Sequence, residues 1–357
     1  MNQDNETVFV GFHTRISDHE AVPALIHLIE EGLAPLGINA LILEFNPGFA
    51  YRSFPQYSTG TFNTEDAIQV RNICHQHGIR PIPLFQCLSH QSPFSGQPWP
   101  LFLDHPEFLE TPDTPADAAW PDFYCHSWCA SNDAIYDYVF PMIDELIEAF
   151  QPEQLHIGMD EVFEIGEESC PRCKGKDRSL LFGRTVQMLH DHLAAQGVGT
   201  MMWGDRLLNA EKMGYQMWDA DRFGIYPAFN DEELITRDII ICDWHYEDHD
   251  HGYPSMDHFM KGGFLTIPAV AGNLEQAKHF WGYCLDMHYL GRKMHWPGKL
   301  GGLLITHWSP FTSEAGKEMM AGIKGEVLDF SKPFSAGTTG AVIKQMSPAV
   351  RQFRKVY

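Results

Sequence analysis

Short apolar runs, most of them nearly unbroken, recur along the chain and predict eight strands. They fall at residues 7–12 (TVFVGF), 38–45 (INALILEF), 79–85 (IRPIPLF), 154–159 (QLHIGM), 199–203 (GTMMW), 238–243 (DIIICD), 264–268 (FLTIP) and 302–307 (GLLITH). Between them, apolar residues at three- and four-residue spacing predict helices over 19–35, 132–150, 180–195 and 273–290. Strands that are apolar on both faces and alternate with helices belong to parallel βα units, whose sheet is covered on both sides. Eight such units predict a (β/α)8 TIM barrel forming a single domain over 1–357. An open doubly wound sheet is the competing architecture. It usually carries a glycine-rich phosphate turn after its first strand, and GFHTRIS is not one. Residues 88–131, rich in Pro, Ser and aromatics, predict a long loop insertion over the barrel mouth, where loops carry function.

Charge narrows the partners. A formal net charge of -22, from 47 acids against 25 bases, repels nucleic acid and anionic membranes. No apolar run approaches the length of a membrane span, so no membrane partner is expected. The opening MNQDNETVFVGFH shows neither a basic segment nor an apolar run of a signal peptide, and the expected location is cytoplasmic. No feature fixes an oligomeric state.

In a barrel of this kind the active site is built at the C-terminal ends of the strands. Those ends read Glu44 and Asn46; Gln86 and His90; Asp160 and Glu161; Trp203 and Asp205; Asp243, Trp244 and Tyr246; and His307 and Trp308. Three strands therefore finish on a tryptophan beside polar groups. Any one of these rings is explained by core packing, but three at equivalent positions with a carboxylate pair suit a sugar, whose C–H faces stack and whose hydroxyls take polar edges.

The pair Asp160–Glu161 needs its own explanation. Carboxylates that flank a glycosidic bond stand ~5–9 Å apart on opposite sides of it, which adjacent residues do not do. Adjacent strand residues also point to opposite faces, so both acids reach the mouth only if the backbone turns, and Gly158 is compatible with a turn. Side-by-side acids suit a division of labour in which one protonates the leaving oxygen and the other orients a nucleophile carried by the substrate.

The sequence His-Ile-Gly-Met-Asp-Glu, ending at Glu161, resembles the signature of family 20 glycoside hydrolases, the β-N-acetylhexosaminidases. INALILEFNPGF resembles that family's second strand, QCLSH its third-strand region, and MMWGD and DWHY its fifth and sixth strand ends; the likeness extends over most of the chain. It implies a retaining, exo-acting enzyme on terminal β-linked N-acetylglucosamine or N-acetylgalactosamine, with N-acetylated amino-sugar glycans as partners and no cofactor for catalysis. The sugar's own acetamido carbonyl would attack the anomeric carbon, giving an oxazolinium-type intermediate. Glu161 would be the acid and then the base, and Asp160 would hold the acetamido nitrogen. Trp203, Trp244 and Trp308 would enclose the sugar, Tyr246 would meet the acetamido oxygen, Asp205 would bind hydroxyls, and His156 would be a pocket group. Two departures fall on hydroxyl recognition. The family's first-strand Arg has only Arg15, shifted along the chain, as counterpart, and its eighth-strand Trp-x-Glu reads Trp308-Ser-Pro, with Glu314 further on.

Cys125-x3-Cys129 and Cys170-x2-Cys173 have spacings suited to a structural zinc, with His126 as a substitute ligand; two disulfides or free thiols are the other readings. The loop HYEDHDHGY, 245–253, reads as a solvated rim rather than a metal centre. Two other functions compete with the glycosidase. A metal-dependent amidohydrolase usually wants His-x-His on the first strand, where GFHTR offers His13 alone. A non-catalytic sugar-binding barrel has no need of Glu161.

Overall fold

The computed structural model describes residues 8–120, 122–221, 228, 230–232, 234–326 and 329–353. The chain is a closed (β/α)8 barrel of parallel strands with intervening helices. The eight strands are β1 (Phe9–Arg15), β2 (Ala40–Glu44), β3 (Arg80–Cys87), β4 (Gln154–Gly158), β5 (Gly199–Trp203), β6 (Ile240–Trp244), β7 (Leu265–Val270) and β8 (Gly302–Pro310). Each overlaps an expected run, within two or three residues at most ends; Thr7, included in the first, lies outside the described residues. A two-residue strand, Lys299–Leu300, pairs beside β7. No described helix is long and apolar enough to cross a membrane.

The helices also follow the apolar spacing. Residues 136–150 bury Tyr136, Val139, Met142, Ile143, Leu146 and Phe150 along one stripe. The helix Arg178–Ala194 starts where Asp177 accepts from Ser179 N and Leu180 N. The segment 19–35 departs from a plain helix: after Val22–Leu28 it widens into a π turn, Ile29–Leu33, before Ala34–Leu36. Pro35 has no N–H to continue the regular ladder, and the wider turn ahead of it absorbs that loss.

By contacts the chain divides into two compact units. One comprises Met1–Glu44, Glu65–Ile82 and Ile241–Tyr357; the other comprises Phe45–Thr64 and Pro83–Ile240. In the first, β1 pairs with β2 (Phe12↔Leu41) and with β8 (Phe12↔Ile305), and β7 with β8 (Ala269↔Leu304). In the second, β4 pairs with β3 (Leu84↔His156) and β5 (His156↔Met201). The second unit carries the acid pair; the first carries Trp244, Tyr246 and Trp308.

Candidate active site

The acid pair sits where β4 stops being a strand. Gly158, Met159 and Glu161 all have positive φ, at 69°, 75° and 48°. This turn breaks strand alternation and lets Asp160 and Glu161 enter one network. For Met159 and Glu161 the left-handed backbone costs roughly 1–2 kcal/mol each, a cost that persists only where surrounding bonds over-determine the geometry. At Gly158 a Cβ would lie 2.0 Å from Gln86 Oε1, so only glycine fits.

The β3 end supplies those bonds. Asn46 clamps the β3 backbone, donating to Gln86 O at 3.0 Å and accepting from Gln86 N at 2.6 Å. Gln86 Nε2 then donates to Asp160 Oδ1, and the buried Ser89 hydroxyl donates to Asp160 O. His90, itself at φ 57°, brings Nε2 to 3.6 Å from Asp160 Oδ2 and 3.3 Å from Glu161 Oε2. Burial alone would depress His90, but the facing Cys125 and Asp160 overcome it and raise its pKa well above the ordinary value. Burial works to raise Asp160; the charge of His90 and the bonds from His90 and Gln86 prevail and hold it below the usual carboxylate range. Near neutrality Asp160 is therefore a carboxylate facing an imidazolium.

Glu161 is gripped at both backbone and side chain. Its N–H donates to Asp205 Oδ2 at 2.9 Å, and Tyr124 OH donates to its Oε2 at 2.5 Å. Asp205, buried, is in turn tied to Arg206, whose Nε donates to Oδ2 at 2.6 Å and whose Nη2 donates to Met217 O and Trp218 O. Asp205 Oδ2 is thus engaged by both the Glu161 backbone and Arg206. Trp203 is fully buried and packs against the ring of His156 at 4.5 Å, while His156 Nδ1 accepts from Gly158 N.

In the other unit Trp308 Nε1 donates to Tyr246 OH at 2.7 Å, and the rings of Trp244 and Tyr246 stack at 5.2 Å. The same hydroxyl lies 3.3 Å from Thr306 Oγ1. Glu44 lies between His13 Nε2 (3.2 Å) and Arg15 Nε (3.3 Å), Arg15 Nη1 reaches Trp308 O at 3.5 Å, and His13 packs on Trp308 at 4.7 Å. Arg15, Glu44, Trp244, Tyr246 and Trp308 are therefore all parts of this unit's strand ends. Glu314 is exposed and pairs with Lys317.

Three readings of the sequence change. Cys125 does not join the other three cysteines: its Sγ faces His90 Nδ1 at 3.8 Å, and Glu110 takes its place beside Cys129, Cys170 and Cys173. His126 is likewise absent from that cluster, with its pKa pushed down to about 4 by burial. The 245–253 loop is solvated only in part: His245 is fully buried, with Nε2 at 2.9 Å from Ser255 Oγ and 3.4 Å from Asp243 Oδ1.

Sequence reasoning missed Tyr124, Ser89 and the positioning roles of Gln86 and Asn46. It also missed an aromatic group around Tyr124: Phe94, Phe163 and Trp218 lie 5.2–5.3 Å from its ring, and the exposed Trp120 lies 5.0 Å from Trp218. The aromatic richness of 88–131 was the available signal.

Residues 34–261 match the model of "Glycosyl hydrolase family 20, catalytic domain". The chain belongs to this family. Among solved structures, this family 20 chain is similar to a chitobiase from Flavobacterium johnsoniae, with 16% identity, TM-score 0.60, and coverage of 97% of this chain and 51% of that one. It is also similar to an exo β-N-acetylglucosaminidase from Vibrio harveyi in complex with N-acetylglucosamine, with 13% identity, TM-score 0.57, and coverage of 98% and 58%. Dispersin B is matched end to end, with 14% identity, TM-score 0.54, and coverage of 96% and 99%. The chain spans about half the length of the Flavobacterium enzyme. No curated protein matches it.

Proposed function

We propose that this chain is a retaining, exo-acting β-N-acetylhexosaminidase that works by substrate assistance. The observation that carries the reading is the single network around two adjacent acids. One of them, Asp160, is held ionised by His90 and Gln86; the other, Glu161, receives Tyr124 on Oε2. Two acids so close cannot attack and protonate from opposite faces of a glycosidic bond. They can divide the work if the nucleophile belongs to the sugar.

The acetamido carbonyl oxygen attacks the anomeric carbon while Glu161 gives its proton to the leaving oxygen. Contacts from Tyr124 and His90 both fall on Oε2, which leaves Oε1 to face the leaving oxygen. Asp160 accepts from the acetamido N–H and offsets the positive charge that spreads over the oxazolinium ring. Glu161, now a carboxylate, takes a proton from water as it opens the ring. The family resemblance would give Tyr246 the acetamido oxygen, Trp244 and Trp308 the sugar's apolar face, and Arg15 and Glu44 its hydroxyls. Asp205 and His156 are positioning residues, and Trp203 supports from behind. Trp120 and Trp218 offer a stacking surface for the leaving sugar. Family membership supports the reading.

The test is hydrolysis of 4-nitrophenyl N-acetyl-β-D-glucosaminide, its galacto epimer and the plain β-glucoside. Only the acetamido sugars should turn over. Glu161→Gln should lower kcat by about 10³-fold, as loss of general acid–base catalysis does. Asp160→Asn should cost a similar factor with a smaller change in KM. Equal cleavage of the plain glucoside would sink substrate assistance.

A further inference from the structure

We propose that Glu110, Cys129, Cys170 and Cys173 form a structural zinc site that staples the loop after β3 to the segment following the acid pair. The four ligand atoms lie within 4.8 Å of one another, and all four residues are buried. Cys129 Sγ is 3.5 Å from both Cys170 Sγ and Cys173 Sγ. A tetrahedral zinc with Zn–S near ~2.3 Å places its sulfurs roughly 3.8 Å apart, whereas a disulfide needs about 2.05 Å. Three sulfurs gathered at one point also leave one over in any pairwise bridge.

The fourth corner is a carboxylate whose state asks for a cation. Glu110 is fully buried; its Oε1 accepts from Glu167 N at 2.8 Å, its Oε2 receives no N–H or O–H donor among the described residues, and the carboxyl otherwise faces the Cys170 and Cys173 sulfurs. A buried carboxylate oxygen without a donor is costly unless a positive charge faces it. Around the sulfurs, Cys173 N donates to Cys170 Sγ at 3.4 Å, and Cys173 Sγ donates to Ser131 Oγ at 3.3 Å, an oxygen that also accepts from Lys176 Nζ at 3.0 Å and whose own hydrogen can turn to a Cys173 thiolate. Such contacts orient and stabilise thiolate ligands. Thiolates select zinc over magnesium or calcium, and four protein ligands close the shell, which marks a structural rather than a catalytic ion.

The site joins two loops that matter. Glu110 and Cys129 are brought together by Glu110 N donating to Ser127 O and Cys129 N to Phe108 O, at 2.9 and 2.7 Å. The same loop carries Tyr124, five residues before Cys129, while Cys170 and Cys173 follow Glu161. Loss of the ion would loosen the Tyr124–Glu161 contact from both sides. Only this effect on turnover rests on the function proposed above.

The decisive experiment is elemental analysis of the protein purified without added metal, beside Glu110→Gln and Cys170→Ser. About one zinc per chain is expected in the wild type. Glu110→Gln, nearly isosteric, should retain a folded chain with weakened zinc, and Cys170→Ser should lose it. A zinc chelator should lower the melting temperature of the wild type and leave Cys170→Ser unmoved. Cobalt replacing zinc should show sulfur-to-metal charge-transfer absorption that Cys170→Ser lacks. A folded wild type with negligible zinc and no uptake of zinc or cobalt overturns the site. So does zinc content unchanged in both variants, or an intact mass lighter by two hydrogens with a Cys129 bridge. If metal content behaves as expected but no glycoside is cleaved, the site stands and the functional reading falls.

Discussion

The two units hold their candidate groups by opposite means. In the acid unit, Leu88, His90, Met159 and Glu161 all sit at positive φ, and the acids are fixed by side chains reaching from distant loops. In the aromatic unit, Trp244 ends β6 and Trp308 lies in β8 where its register against β1 shifts, yet neither sits at positive φ, and the groups hold one another by ring contact and an N–H bond. Among the described residues of that unit the one non-glycine at positive φ is His295, a helix cap between β7 and β8. Strain gathers where charge must be aimed, and rings that offer a surface need none.

The largest effect that sharpens this contrast belongs to Gly158→Ala. An added Cβ meets both a left-handed backbone and Gln86, 2.0 Å from Oε1 and 3.1 Å from Cα, so Gln86 must release Asp160. Urea unfolding should show a loss of about 2–4 kcal/mol, within the range of a broken special backbone position. The kcat should fall about 10²-fold or more, because a displaced carboxylate loses its aim. A variant with wild-type stability and kcat would mean that the turn is soft and that the acids are not held by strain at all.

Tyr246→Phe probes the relaxed side and should do less. The ring keeps its stacking on Trp244 while the hydroxyl that accepts from Trp308 Nε1 disappears. One hydrogen bond is worth about 1–1.5 kcal/mol, or roughly tenfold in kcat, with little change in KM. A loss rivalling that of Gly158→Ala would make the aromatic unit as exacting as the acid unit and erase the difference between them.

The same contrast explains what the sequence disclosed. Buried parallel strands leave near-continuous apolar runs, so all eight were legible, as were Trp244, Tyr246 and Trp308 at their ends. Asp160 and Glu161 were legible as a pair, yet their partners were not: Tyr124 reaches Glu161 across 37 residues of chain, and no spacing announces that. Asp205 was visible as a strand-end acid, but its partner is a backbone N–H, which has no signature in side-chain identity. At the cysteines, counting thiols drew in Cys125 and overlooked Glu110, since a lone carboxylate in a loop carries no metal-ligand spacing. Periodicity records burial well; it does not record which loop folds back.

A last test, read in stability rather than turnover, concerns how charge is balanced beneath Glu161. Burial, helped by Asp160 and opposed by Arg206, pushes Asp205 up to about 6. Its unfolded value is about 3.9, so the unfolded chain releases the proton first. The stabilisation from a protonated Asp205 is therefore fully present below about pH 4 and is lost as pH rises through 6, on the order of 2–3 kcal/mol in all. Asp205→Asn cannot ionise and lacks this dependence. The difference in unfolding free energy between wild type and variant should accordingly shrink by that amount from pH 4 to pH 7, whatever its starting value. A constant difference across that range would mean that Arg206 Nε and Glu161 N, at 2.6 and 2.9 Å, keep Asp205 ionised throughout. The floor of the acid unit would then be a permanent ion pair, and its geometry independent of pH.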